Sequence, residues 1–256
     1  MHSIGTTDGQ FFVLSRNAWL GTASHGAALW SGDIGSSWDE LRLAITAGQG
    51  VGMSGIPLWT TDIGGYHGGD PRSPDFQQLI VRWFQFGAFC PIFRLHGHRA
   101  GGPPADHCGP TNGDNEVWNL AAEGTVHYSA IAAVMRLRED LRDYVQRLNN
   151  ESVATGVPMM RPMFLEFPGD AVCVNNSAEQ QFMLGDAWLV APVVAANASS
   201  WPVYLPALSG NHQWVYWWNQ TVVQGPGWFT VDTGNIAEFP LFFRRPVTDV
   251  DIDIGL

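Results

Sequence analysis

Lysine is absent from these 256 residues: all thirteen basic side chains are arginine, against 24 acidic ones, for a net charge of -11. Most of the arginines are dispersed, and with a pI near 5.0 the chain lacks the basic patch that binds phosphates, which argues against a nucleic-acid partner. Cysteine is scarce as well. Cys90, Cys108 and Cys173 lie far apart with no Cys-x-x-Cys spacing, which excludes a disulfide scaffold and a thiolate metal centre but leaves room for one disulfide. No run of about 18 apolar residues occurs, so no membrane span is expected. The segment after Met1 lacks a basic stretch followed by an apolar one, so no signal peptide is expected. Gly-x-Ser-x-Gly, P-loop and His-Glu-x-x-His patterns are missing too, which removes support for serine-hydrolase, NTPase and zincin chemistry, and no cofactor is expected.

What is present is apolar and aromatic. Hydrophobic residues make up 45%, with 12 Trp and 29 Gly, enough core for one large domain or two small ones. Tryptophan offers a flat face on which a sugar ring stacks, although filling a core is the ordinary use of any single one. Four Asn-x-Ser/Thr sequons, at Asn150, Asn175, Asn197 and Asn219, exceed the roughly one or two that chance supplies. They hint at a secretory history, against the missing signal peptide.

Over residues 1–100 short apolar runs alternate with helical stretches, the pattern of βα units. Strands are expected at Phe11–Leu14, Ala27–Trp30, Val51–Trp59 and Cys90–Leu95. Helices are expected from Trp38 to Gln49, capped by Ser36 or Ser37 and ended by Gly50, and from Pro74 to Gly87 behind Ser73. Each strand runs into a polar, glycine-rich loop, the place where α/β folds put their chemistry. Residues Glu116 to Asn149 read as a long helical region, with Ile131, Val134, Leu137, Leu141 and Val145 at helical spacing. After Glu151, short β-rich runs punctuated by Gly, Pro and Asn indicate an antiparallel sandwich.

Asp33, between Gly32 and Ile34 and close to Trp30, is the best candidate for a proton donor, since partial desolvation raises a carboxyl pKa. A turn or cap role is the alternative. Asp62, beside Gly64-Gly65, is placed to accept hydrogen bonds from sugar hydroxyls or from its own backbone. His96 and His98 have no partner at metal-ligand spacing, so no metal is expected. Arg16, Arg94 and Arg99 suit carboxylates, sugar oxygens or structural ion pairs. Asp114 or Asn115 reads as a helix N-cap, with Glu116 favoured by the helix dipole.

Taken in order, Trp30-Ser31-Gly32-Asp33, Met53-Ser54-Gly55-Ile56-Pro57, Thr61-Asp62-Ile63-Gly64-Gly65, Arg82–Phe89, Phe93-Arg94-Leu95-His96-Gly97, Met160–Phe164 and Phe182–Asp186 resemble glycoside hydrolase family 31. The resemblance implies an α/β fold, the second half of a TIM (β/α)8 barrel at residues 1–155, followed by an all-β sandwich domain at 156–256. It implies retaining hydrolysis of α-glucosides or α-xylosides, with Asp33 as acid/base. Arg16, Asp62 and His96 would bind the −1 sugar, and Trp30 and Trp59 would be aromatic walls. The family's nucleophilic aspartate belongs to a Trp-x-Asp-x-Asn-Glu motif ahead of the acid/base, so the missing N-terminal half barrel of the same protein is the expected partner. Half a barrel leaves strand edges and apolar positions uncovered, and by itself is expected to be poorly soluble or partly molten. The alternatives are a non-catalytic carbohydrate-binding protein and a subunit that pairs with another chain.

Overall fold

The computed structural model describes residues 13–99 and 115–247. Cys108 and the Gly113-Asp114 pair lie outside them. The N-terminal part holds a parallel sheet in the order β1 (Val13–Ser15), β2 (Ala27–Trp30), β3 (Trp59–Thr60). Val13 stands opposite Ala27, and Leu29 opposite Trp59.

Helix α1 (Trp38–Met53) crosses from β2 to β3. Ser37 caps it by accepting from the Glu40 amide at 3.2 Å, and Leu41, Ala44, Ile45, Gly48 and Gly52 form its buried stripe. Gly50 does not end this helix. The ladder continues through Ser54 N–H to Gly50 O at 3.0 Å, and the stop comes at Gly55, with φ of 80°. The expected strand from Val51 is therefore helical at its start and pairs only at Trp59–Thr60. The Gly50-x-Gly52-x-x-Gly55 spacing here closes a helix; a dinucleotide turn would follow a strand.

Helix α2 (Pro74–Gly87) is buried on nearly every side from Phe76 onward. The expected fourth strand reduces to one parallel bridge, Ile63 to Leu95, plus Ile92 N–H to Trp59 O at 3.1 Å. Pro91 removes a ladder donor and residues 88–92 turn instead. The expected long helix divides into α3 (Val117–Leu120), α4 (Val126–Asp140) and α5 (Arg142–Thr155), with Gly124 at φ of 86° separating the first two.

Beyond these helices lies a six-stranded sheet of antiparallel pairs. Its strands are β4 (Met160–Pro162), β5 (Phe182–Leu184), β6 (Trp188–Val190), β8 (His212–Tyr216), β9 (Val222–Val223) and β11 (Leu241–Pro246), in the order β4-β5-β6-β11-β8-β9. A separate antiparallel ribbon joins β7 (Ser200–Leu205) and β10 (Gly227–Asp232). Strand alternation sorts the sheet's side chains between two cores. Phe182, Leu184, Trp188, Val190, Val215, Leu241 and Phe243 join the core built around α2. Met183, Leu189, Trp214 and Phe242 face the other way and pack with Val203, Leu205 and Val231 of the ribbon, completing the sandwich. Cys90 and Cys173 are buried free thiols, so they do not form the disulfide the sequence left open. No helix among the described residues is long and apolar enough to cross a membrane.

Candidate active site

Three loops meet at the C-terminal ends of the parallel strands. One follows β2 (Ser31–Ser37), one follows β3 (Thr61–Asp70), and the third is the 93–99 segment. They lie closer together than side chains allow. A Cβ on Gly65 would sit 2.5 Å from Gly35 O, and one on Gly97 would sit 2.6 Å from Gly65 O. Both positions also have φ values, 76° and 125°, that suit glycine. Backbone bonds tie the loops: Tyr66 N–H to Ile34 O at 2.7 Å, Ser36 N–H to His67 O at 2.9 Å, and His98 N–H to Tyr66 O at 2.9 Å.

Arg99 clamps this arrangement from beneath. It is 1% exposed and donates to Ser36 Oγ and to the carbonyls of Ile63, Gly64, Gly65, Gly68 and His96 at 2.9–3.4 Å. Its Nε donates to Asn115 Oδ1 at 2.7 Å, so Asn115 serves the clamp, and the cap of α3 is Glu116. Burial lowers the Arg99 pKa to about 10. Of the three arginines singled out from the sequence, this one is structural.

Asp62 is fully buried and receives a hydrogen bond from Arg94 Nη2 on Oδ1, while Oδ2 has no partner. Burial pushes its carboxyl above the usual carboxylate range; Arg94 and His96 oppose that shift, and the charge of Asp33 adds to it. Asp33 itself stands at the tip of the first loop, its side chain 33% exposed and 3.8 Å from Arg16 Nη1. Arg94 also lies over the Trp30 ring, 6.0 Å from its centroid, and the Trp30 indole N–H is occluded without an acceptor. His96 is exposed and packs on Tyr66 at a ring separation of 5.4 Å. Tyr66 in turn meets His67 at 4.8 Å and His98 at 5.3 Å, both edge-on.

Arg16, Trp30, Asp33, Asp62 and His96 thus converge on one rim. Trp59 does not. It is 2% exposed, packs on Phe86, and lies where a Cβ on Gly48 of α1 would come within 2.8 Å of its ring. It faces the helices and cannot wall a sugar. Strand pairing is the reason: Trp59 stands opposite Leu29 and Thr60 opposite Trp30, so the Trp59 and Trp30 rings point to opposite faces of the sheet. Arg94, one of the three arginines read from the sequence as suited to a carboxylate, is the partner of Asp62. Tyr66, which supports His96, was not singled out; an aromatic directly after Gly64-Gly65 and beside a histidine was the available signal for it. Among the described residues no group of three or more His, Cys, Asp or Glu side chains is arranged to hold a metal ion. The rim offers one water-accessible carboxyl, one buried and oriented carboxyl, an aromatic face and an imidazole. That set suits a neutral polyhydroxylated ligand and acid/base chemistry on it.

The family model for the glycosyl hydrolases family 31 TIM-barrel domain matches residues 3–148, and that for the family's C-terminal domain matches residues 156–246. An α-xylosidase of Saccharolobus solfataricus is 32% identical over 232 residues, covering 91% of this chain and 29% of the relative. A crystal structure of a family 31 α-xylosidase from a soil metagenome, complexed with xylose, superposes with a TM-score of 0.82 at 39% identity, covering 90% of this chain and 34% of that one. The cycloalternan-degrading enzyme of Trueperella pyogenes, solved in complex with a covalent intermediate, gives a TM-score of 0.76 at 31% identity, covering 91% and 30%. This chain therefore spans about a third of the length of these three proteins.

Proposed function

Since this chain belongs to glycosyl hydrolase family 31, we propose that it supplies the acid/base and sugar-binding rim of an enzyme that hydrolyses α-glucosides or α-xylosides with retention of configuration. On this reading residues 1–155 form the C-terminal half of the catalytic barrel and 156–256 the β-domain. Arg16, Asp62 and His96 hold the −1 sugar, with Trp30 as its wall.

Retention requires two carboxyls about 5–5.5 Å apart, one attacking the anomeric carbon while the other protonates the departing oxygen. The observation that carries Asp33 as the proton donor is its accessibility. Its carboxyl is one-third open and has only a loose contact with Arg16, so it is free to exchange protons with a leaving group and then with water. Asp62 is shut in and tied to Arg94, which suits an orienting acceptor. The attacking carboxylate is assigned to barrel strands outside this sequence. A similar enzyme solved with a covalent intermediate supports the double displacement, because that route passes through one.

The test uses the complete enzyme carrying Asp33→Ala, with aryl α-glucosides and α-xylosides whose leaving groups need little protonation. Glycosylation should survive on these substrates and deglycosylation should stall. Azide should then restore turnover and yield an α-glycosyl azide. A β-azide, or no rescue, removes Asp33 from the acid/base role. The ratio of the two aryl glycosides decides the sugar.

A further inference from the structure

A cleft of about 210 Å³ opens on the β-domain, away from the rim, lined by Ser177, Glu179, Gln180, Trp201, Pro202 and Trp228 among others. We propose that it is a second carbohydrate site, one that holds a neutral oligosaccharide away from the catalytic centre.

Trp228 lies on β10 with 51% of its surface exposed, an uncommon state for so large an apolar side chain. It is held in place. Tyr204, its cross-strand partner, lies 5.4 Å away ring to ring and donates its hydroxyl to Asp170 Oδ2 at 2.8 Å. The Tyr204 backbone is in turn gripped by the buried Gln181 amide, through N–H to Oε1 at 2.9 Å and Nε2 to carbonyl at 2.7 Å. An indole fixed in this way loses little freedom when a ligand stacks on it.

The polar lining sets the ligand class. It contains no Arg or His, so nothing attracts a phosphate or carboxylate, and a single carboxylate, Glu179, makes a poor metal site. Glu179, Ser177 and the Gln180 amide are hydroxyl partners. Gln180 Oε1 is occluded and has no hydrogen-bond partner, so an amide rotation that meets a sugar hydroxyl gains a bond and breaks none. Glu179 also borders a neighbouring cleft that contains Phe164, itself 38% exposed, which extends the track beyond a single ring. A tryptophan face beside amide, hydroxyl and single carboxylate partners, with no cation, is the chemistry that recognises sugar rings.

Only the choice of probe rests on the proposed glycosidase reading. Isomaltotriose, maltotriose and a xylosylated cello-oligosaccharide would be titrated separately into the whole chain by calorimetry and by tryptophan fluorescence. The wild type would be compared with Trp228→Ala, Trp228→Phe and Asp62→Asn. Saturable binding of at least one probe is expected. Trp228→Ala should weaken it about tenfold or more, Trp228→Phe should restore part of it, and Asp62→Asn should leave it unchanged. Trp228 is exposed, so an unaltered melting curve should accompany the loss. Binding abolished by Asp62→Asn and indifferent to Trp228→Ala would overturn the second site while leaving the catalytic reading intact. The absence of any binding would overturn it as well.

Discussion

Asp62 and Arg99 lie close together and are opposite in kind. Asp62 is a buried acid whose folded form holds its proton more tightly than the unfolded chain does, because burial outweighs the pull of Arg94 and His96. Its contribution to stability is complete below the ordinary carboxylate pKa and is lost as pH rises through its own higher value. Asp62→Asn should therefore flatten the fall in unfolding free energy on the alkaline side of the carboxylate range; urea titrations at a series of pH values read that slope directly. Arg99 is a buried base that satisfies acceptors from all three rim loops. Replacing it with Met keeps the bulk, orphans the buried Gly65 carbonyl and leaves that of Gly64 with Ser36 Oγ alone, and should cost about 3–5 kcal/mol. Equilibrium denaturation checks the loss, and a cost under about 1 kcal/mol would mean that water replaces the guanidinium without difficulty.

At the level of elements, the rim depends on loops that touch through glycine. Gly65→Ala places a methyl 2.5 Å from a backbone carbonyl in a conformation alanine resists, so the β2 and β3 loops must separate. Asp33 and Asp62 sit on those two loops. Sugar binding at the rim should fall at least about tenfold, while α1 and the β-domain, which do not rest on this contact, keep their circular dichroism. Affinity measured beside far-ultraviolet spectra separates the two effects. If both fell together, the loops would be part of the folding core.

Across the whole molecule the barrel portion and the β-domain share one hydrophobic core, and α2 is its centre. Arg82 of α2 donates to Thr233 O and to Glu238 O at 2.8 Å, and Gln85 donates to Ile236 O at 2.7 Å. Arg82→Met should destabilise both portions together, by about 3 kcal/mol, with loss of the barrel and β-domain signals at a single midpoint. Stability should nevertheless be uneven. Val13 on β1 is 49% exposed and β1 pairs only with β2 among the described strands, whereas β5 and β6 are buried on both faces. Hydrogen exchange should release the amides of β1 first and those of α2, β5 and β6 last. Uniformly fast exchange would instead match the partly molten state expected of half a barrel.

Several features were determined by the sequence alone because they rest on local chemistry. A serine cap at 36 or 37, Pro74 at a helix start, the short β-rich character of the segments after Glu151 and the ordered motifs around Asp33, Asp62 and His96 all depend on neighbours within a few residues. The rest waited on tertiary contacts. Whether Gly50 ends a helix is decided by continued i to i−4 bonding, and whether Cys90–Leu95 is a strand by Pro91 and the turn around it. Trp59 carries the same stacking face as Trp30, but pleat parity sends it into the core. Arg99 reads like any other arginine until three loops fold over it. Local residue preferences act over one turn or one pleat, whereas the partner of a buried charge and the direction of a ring are set by chain segments tens of residues away.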